Sequence, residues 1–254
     1  EDQHCFYDEA RLMLNAGSGD PLLSRLLSRH PAVSASWQTQ EAGITFLRSR
    51  ERRVSPAPGP GWTGLIELAD NNPLVCADVA RLPSAAETLA LIAIGPLLKT
   101  GLILEPPTLV ADLPLNEANL VAALATEGPL EGVTCYEVAP THPTVRHARA
   151  TIAVADPDQG GKLLFESAYE EPYNRVLYVR RDESSAWEDR LVANRPWAVY
   201  RLTVTPGDGA ALVSVAVMAD LNGKLGAAQA LHLMNVMDGL EESLGIPEDL
   251  LGFV

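Results

Sequence analysis

Uncharged hydrogen-bonding side chains recur at helical spacing in the stretch NGKLGAAQALHLMNVMDGLEESLGI, residues 222–246. On a helix they form one stripe: Gln229, His232, Asn235 and Ser243. The opposite side carries an apolar line of Ala230, Leu233, Met237, Leu240 and Leu244, as a core-facing stripe requires. A face in bulk water usually carries Lys and Glu. The pattern predicts one long helix whose polar stripe lies against a partner or ligand; the alternative is an exposed face that lacks charge.

Two arginine clusters stand out in a chain whose formal charge is −14. The first contains Arg48, Arg50, Arg52 and Arg53, and the second contains Arg175, Arg180 and Arg181. On one strand, Arg48, Arg50 and Arg52 would share a face because side chains alternate with a period of two. Such a row predicts binding of carboxylates, with Arg48, Arg50 and Arg180 as candidate residues. The alternative is an edge strand that charge protects from self-pairing.

Catalytic and metal-binding patterns are weak in this sequence. His142 and His147 are five positions apart, and neither cysteine nor a suitably spaced carboxylate completes a zinc set. Glu166, Glu170 and Glu171 are close in sequence, but nothing pairs two of them as acid and base. The sequence matches no phosphate-binding loop. It therefore predicts no metal, no cofactor and no catalytic residue.

Composition limits the class of partner. The acidic charge argues against nucleic acid, which needs clustered Lys and Arg. The longest apolar run, Thr88–Leu98, is about half of what a membrane span requires. Cys5, Cys76 and Cys135 are far apart and odd in number, which favours a reducing compartment such as the cytoplasm. The classes of partner that remain are a protein and a small apolar ligand. Composition does not indicate an oligomeric state.

The order of elements predicts an α+β fold, with an antiparallel sheet and long helices packed on it. Helices are predicted after Asp20 and Pro21, after Ser84 and after Asn116, because each has a capping residue in place. A series of strands is predicted from residue 133 onward and includes KLLFESAY. We expect an N-terminal half over residues 1–105 and a C-terminal half over 106–254 that ends in the long helix.

The two halves show a faint repeat. In each half, an Arg-rich strand is followed by a tryptophan, a hairpin and an apolar helix. Aligning the two halves matches Trp62 with Trp197 and Val79 with Val217. If the repeat is real, residues 43–103 superpose on 174–246 and the halves pack about a pseudo-twofold axis. The other interpretation is an accidental match, because the identities are few.

From Trp197 onward the chain has a strand, a GDG hairpin, a strand and NGKLGAAQALHLMNVMDGLEESL. This order resembles the closing part of START-like (SRPBCC, polyketide-cyclase-type) domains. The resemblance covers about a fifth of the chain. It implies a cavity between a curved sheet and the last helix that holds an apolar ligand, and it transfers no catalytic residue.

These observations favour a non-catalytic binding protein. It would be an accessory factor or chaperone-like adaptor that holds a protein segment or apolar ligand in a groove between helix and sheet. Two alternatives are a START-like carrier or cyclase-type enzyme, and a structural subunit of a larger assembly with a broad exposed apolar patch.

Overall fold

The computed structural model describes residues 13–69, 71–156, 161–184 and 186–253. It confirms the α+β class, with two separate mixed sheets in place of the predicted antiparallel sheet. Within the described residues, no helix has the length and apolar composition needed to cross a membrane.

Sheet 1 is formed by the N-terminal part of the chain. Its strands are β1 (Leu14–Ser18), β2 (Val33–Gln38), β3 (Ile44–Leu47), β4 (Glu51–Ser55) and β5 (Val79–Arg81). The helices of this part are α1 (Pro21–Ser28), α2 (Asn71–Cys76) and α3 (Ala85–Leu98). The spatial strand order is β2-β1-β3-β4-β5, and the two outer strands run parallel to their neighbours.

Sheet 2 is formed by the C-terminal part. Its strands are β6 (Thr108–Ala111), β7 (Thr134–Glu137), β8 (Val145–Ala155), β9 (Val179–Arg181), β10 (Ala198–Pro206) and β11 (Ala210–Asp220). The helices are α4 (Glu117–Leu124), α5 (Gly161–Tyr173) and α6 (Ala227–Met237). The order is β7-β6-β8-β11-β10-β9, again with parallel outer pairs.

The parallel outer pairs explain why the antiparallel prediction is wrong. Helix α1 connects β1 to β2, and α4 connects β6 to β7. A helical crossover returns the chain to the same end of the sheet, so the two strands it joins run in the same direction. Only the hairpins, such as β10–β11, give antiparallel pairs of sequence neighbours.

The predicted helix starts are confirmed. Asp20 accepts a hydrogen bond from Leu23 N at 2.8 Å, and Pro21 occupies the first turn of α1. Ser84 and Glu87 form a reciprocal capping box on α3. Asn116 caps α4 by accepting from Asn119 N. These local signals succeed because each involves residues only three positions apart.

Three predicted elements are wrong. The hairpin expected after Trp62 is absent, because residues 71–76 form α2. KLLFESAY belongs to α5, because Phe165, Tyr169 and Tyr173 recur every four residues and are buried together in the core. The last helix ends at Met237 and does not reach residue 246. Gly239 adopts a left-handed φ of 68°, which turns the chain away from the helix axis.

The two central helices are exchanged between the halves. Helix α3 comes from the N-terminal half, but it packs on β8 and β11 of sheet 2 and on α4 and α5. Helix α6 comes from the C-terminal half, but it packs on β3 and β4 of sheet 1 and on α1 and α2. Every residue of α6 is buried, as are Ala86–Leu98 of α3. The helices meet where Thr88 donates to Gln229 at 3.4 Å.

The alignment of residues 43–103 with 174–246 is wrong. In the first segment an antiparallel pair, β3–β4, precedes the parallel strand β5. In the second, a parallel pair, β9–β10, precedes the antiparallel strand β11. Trp62 bridges to Ala80 of β5, whereas Trp197 lies in a small separate core beside Met218. The halves share instead their opening β-α-β-β order and the reciprocal exchange of a helix.

Separating the chain between residues 105 and 106 tests this exchange. Each fragment then lacks the helix that covers its own sheet, so we expect neither fragment alone to unfold cooperatively. The equimolar mixture should recover a cooperative transition, measured by circular dichroism and urea titration. Cooperative unfolding of the isolated 106–254 fragment at the midpoint of the intact chain would contradict the exchange.

Candidate partner-binding surface

The polar stripe of α6 lies inside the molecule. Gln229, His232 and Asn235 are almost fully buried, whereas Ser243 is half-buried in the turn that follows the helix. Asn235 Nδ2 donates to the carbonyls of Glu242 at 3.1 Å and Leu244 at 2.8 Å. Its Oδ1 lies 3.1 Å from His30 Nε2. The stripe therefore contacts this chain's own segments and fastens residues 238–246 against the end of α1.

A charged cluster continues the stripe towards the N-terminus of α6. The Lys224 ammonium lies 2.6 Å from Glu67 Oε1, and both side chains are at most 1 % exposed. His232 lies between two carboxylates, with Nε2 3.1 Å from Glu242 and Nδ1 3.9 Å from Glu67. The Tyr178 ring meets the His232 ring edge-on at 4.8 Å. These contacts join the turn Ile66–Leu68 of the N-terminal half to elements of the C-terminal half.

The cluster keeps its carboxyl groups ionised. Burial alone would raise the pKa of Glu67, but the Lys224 ammonium and the His232 ring outweigh it and lower that pKa. The hydrogen bond from His232 lowers the pKa of Glu242, against the effect of partial burial. Within this cluster only the Glu242 side chain is substantially exposed to solvent. The other charged groups are buried and bonded to one another, which is typical of a structural contact.

The first arginine cluster does not form the predicted row, because the chain turns between β3 and β4. Arg48 forms an ion pair with Asp238 at 2.7 Å, and Arg52 donates to the Met237 carbonyl. Both guanidinium groups thus stabilise the C-terminus of α6, where positive charge is favourable. Burial raises the pKa of Asp238, which the two arginines oppose. Arg50 lies apart, bonded to the Cys76 carbonyl and Asp78.

Arg180, from the second cluster, stacks on an indole. Its guanidinium carbon lies 3.8 Å from the centroid of the Trp197 ring, and its Nε donates to the Leu177 carbonyl. Neighbouring Arg181 is surrounded by the carboxylates of Glu166, Glu170 and Glu183. The structure therefore does not bring Arg180 together with Arg48, Arg50 or the α6 stripe.

His147 is held by two carboxylates. Its Nδ1 lies 3.0 Å from Asp112 and its Nε2 lies 2.8 Å from Asp189. Both ring nitrogens therefore contact carboxylates of this chain. His142 accepts hydrogen bonds from the amides of Thr144 and Val145, as a turn residue does. Within the described residues no group of three His, Cys, Asp or Glu side chains could hold a metal ion.

Strand β2 has features that distinguish it from the other outer strands. It has six residues, VSASWQ, none charged, and Ser34–Gln38 are all exposed. Strand β5 has three residues, and Trp62 already pairs with its outer side. Strand β9 also has three, two of them arginines. Strand β7 has four and ends in Glu137. An outer strand that is charged, short or already paired resists the addition of another strand to its edge. Strand β2 has none of these three features.

The hydrogen bonding of β2 gives its outer edge a defined pattern. Thr39 N donates to Ser18 O, so the backbone of Thr39 faces β1. Because the backbone groups of successive residues in a strand point to opposite sides, those of Ser36 and Gln38 face away from β1. A register shift near Leu14 makes Ser34 an extra residue, and its hydroxyl donates to Asn15 and to the Leu14 carbonyl. Among the described residues no strand pairs with this outer edge, and its regular part begins at Ala35.

Trp37 adds an apolar platform to this edge. Its side chain is 40 % exposed and covers Gly17 of β1. A Cβ atom at Gly17 would lie 2.5 Å from the indole, so glycine is needed for the ring to lie there. No helix or strand is predicted from the sequence for VSASWQ. A short uncharged run between Pro31 and the polar turn TQEAG is a local signal for a strand. That this strand lies at the edge of the sheet depends on pairing between residues far apart in the sequence.

A comparison of the sequence with protein-family models gives no match, and no curated protein matches it significantly.

The buried pair can be tested by a double-mutant cycle. Lys224→Met leaves the Glu67 carboxylate buried without its cation, and we expect a loss of roughly 3–5 kcal/mol in the free energy of unfolding. Adding Glu67→Leu should recover most of it. As a matched control, Arg190→Met breaks the exposed pair with Glu188 and should cost less than about 1 kcal/mol. Equal effects of Lys224→Met and Arg190→Met in urea unfolding would contradict this interpretation.

Acid sensitivity provides a second test. The pKa of Glu242 is lower in the folded state than its ordinary value of 4.5, so its stabilising effect is complete above that value and is lost as pH falls through the lowered pKa. Glu242→Gln should make the fall in melting temperature with decreasing pH less steep. Glu188→Gln serves as the exposed control. A slope that Glu242→Gln leaves unchanged would show that this carboxylate has no role.

Proposed function

We propose that the protein is a non-catalytic binding protein, of the adaptor or chaperone-like type. It holds an extended segment of a partner protein by pairing that segment with the free edge of β2. The observation that carries the proposal is the contrast between β2, which is uncharged and exposed, and the other three outer strands. Edge addition of this kind is a recurrent mode of peptide recognition.

The chemistry of the edge favours a polypeptide over a small apolar ligand. Ser36 and Gln38 present backbone donors and acceptors in alternation, which an extended backbone can satisfy in register. An apolar molecule has no groups for these positions and would leave them without partners. The exposed ring of Trp37 supplies contact area for a side chain of the bound segment.

The charge of the chain favours a basic partner. Its net charge is −14; Glu41, near β2, forms an ion pair with Arg53 at 3.3 Å, so the preference rests on the overall charge. A protein of this charge attracts positively charged partners over distances of about a Debye length, roughly 10 Å at moderate salt.

Ser36→Pro tests the proposal. Proline removes the outward N–H of Ser36 and leaves the bonds of β2 to β1 intact. A displayed library of random twelve-residue peptides would be selected on the intact chain, and the affinity of selected peptides measured by fluorescence anisotropy. We expect Ser36→Pro to lower affinity about tenfold. Ser36→Ala, which keeps the N–H, should bind like the parent.

Thermal unfolding of both variants provides the folding control and should match the parent within a few degrees. Failure of the library to yield a binder, or equal binding by Ser36→Pro, would refute the proposal. A dimer of the parent that becomes a monomer in Ser36→Pro, seen by analytical ultracentrifugation, would instead identify β2 as a contact between two copies.

A further inference from the structure

An apolar recess opens at the start of β2. Its volume is about 480 Å³, and Met13, Pro31, Leu240 and Leu244 form most of its wall. Met13 directly precedes β1, and Pro31 lies two residues before β2. The two leucines belong to the turn after α6, residues 238–246, beyond the helical part of the apolar line predicted from the sequence. The recess therefore lies at the end of sheet 1 at which β2 begins.

The far wall of the recess is held in place by buried contacts. Asn235 bonds the carbonyls of Glu242 and Leu244, as described above, which fixes the turn that carries both leucines. Gly245 has φ of 70°, and a Cβ atom there would lie 2.1 Å from the His30 ring. A wall that is already ordered loses little conformational entropy when it binds a ligand.

The rim of the recess carries one exposed carboxylate. Glu241 is exposed there and accepts a hydrogen bond from Ser243. A positively charged side chain is therefore favoured next to any group that enters the recess.

One extended chain can reach both places. The free edge of β2 begins at Ala35, and Pro31 is four residues before it. At about 3.3 Å per residue this separation is at most about 13 Å, and Val33 N donates to His30 O in a turn that shortens it, so a segment of up to about eight residues spans both the edge and the recess.

We infer that the recess receives a large apolar side chain of the segment bound at β2, and that a Lys or Arg adjacent to it lies near Glu241. This inference rests on the proposed function and adds a sequence preference to it. Backbone pairing along β2 is tolerant of sequence, whereas an apolar recess with a charged rim discriminates between side chains.

Synthetic peptides test this preference. The parent peptide has ten residues, alternating Thr and Val, with Leu-Lys at one end; companions carry Ala-Lys or Leu-Glu, and a second set places the pair at the other end. In fluorescence anisotropy we expect the Leu-Lys peptide, in one of the two orientations, to bind about tenfold more tightly than Ala-Lys. Met13→Glu should abolish that difference, because it places a charge in the wall.

Leu212→Glu is the matched control. Leu212 is 46 % exposed and Met13 is 39 % exposed, and Leu212 lies on β11 of sheet 2, whereas the recess is at sheet 1. The preference for Leu should survive in this variant. Glu241→Lys should reverse the preference for Leu-Lys over Leu-Glu, with little effect on thermal stability because Glu241 is exposed.

The outcomes separate this inference from the proposed function. If Ser36→Pro weakens all peptides equally but the parent does not distinguish Leu from Ala, the inference fails and the function stands. If Ser36→Pro has no effect on any peptide, the function fails as well. If the dye anilinonaphthalene sulfonate binds in the recess and the Leu-Lys peptide does not displace it, the recess is a separate small-ligand site and the inference is wrong.

Discussion

The fold depends on the coverage of each sheet by a helix from the other half of the chain. Sheet 1 has an apolar inner face that includes Phe46 and Val54, and α6 covers it. Sheet 2 has an inner face that includes Ile152 and Val215, and α3 covers it. Helices of the same half, α1 on sheet 1 and α5 on sheet 2, cover only part of each sheet, so each half leaves apolar surface in water until the helix from the other half packs on it. The exchange therefore couples the stability of the two halves.

The buried polar contacts make this exchange specific. Apolar helices such as α3 and α6 could pack on a sheet in several registers, since apolar contacts have little directional preference. The ion pair between Glu67 and Lys224, and the bonds of Asn235 to the turn after α6, are satisfied in one arrangement only. Breaking such contacts is costly even when forming them adds little net stability. Any other register of α6 on sheet 1 would separate these partners, so the contacts disfavour it.

Sequence reasoning succeeded where the cause is local and failed where it is distant. Asp20, Ser84 and Asn116 were predicted as helix caps because a cap involves only its own first turn. The uncharged stripe of α6 predicts a surface that contacts a partner or ligand. In the structure it contacts Glu242, Leu244 and His30 of the same chain. The arginine row failed because a turn separates Arg48 from Arg52. The free edge of β2 follows from strand order, which no local pattern encodes.

The exchange of helices also determines when each part of the chain can fold during synthesis. Sheet 1 is made of residues that leave the ribosome early, from Leu14 to Arg81, but α6 begins only at Ala227. At about 5–20 residues per second, the apolar inner face of sheet 1 stays uncovered for roughly ten seconds or more. Sheet 2, in contrast, receives α3 before its own strands are made. Folding on the ribosome would thus be completed first around the C-terminal sheet, and the N-terminal sheet, although synthesised earlier, would be the last to close.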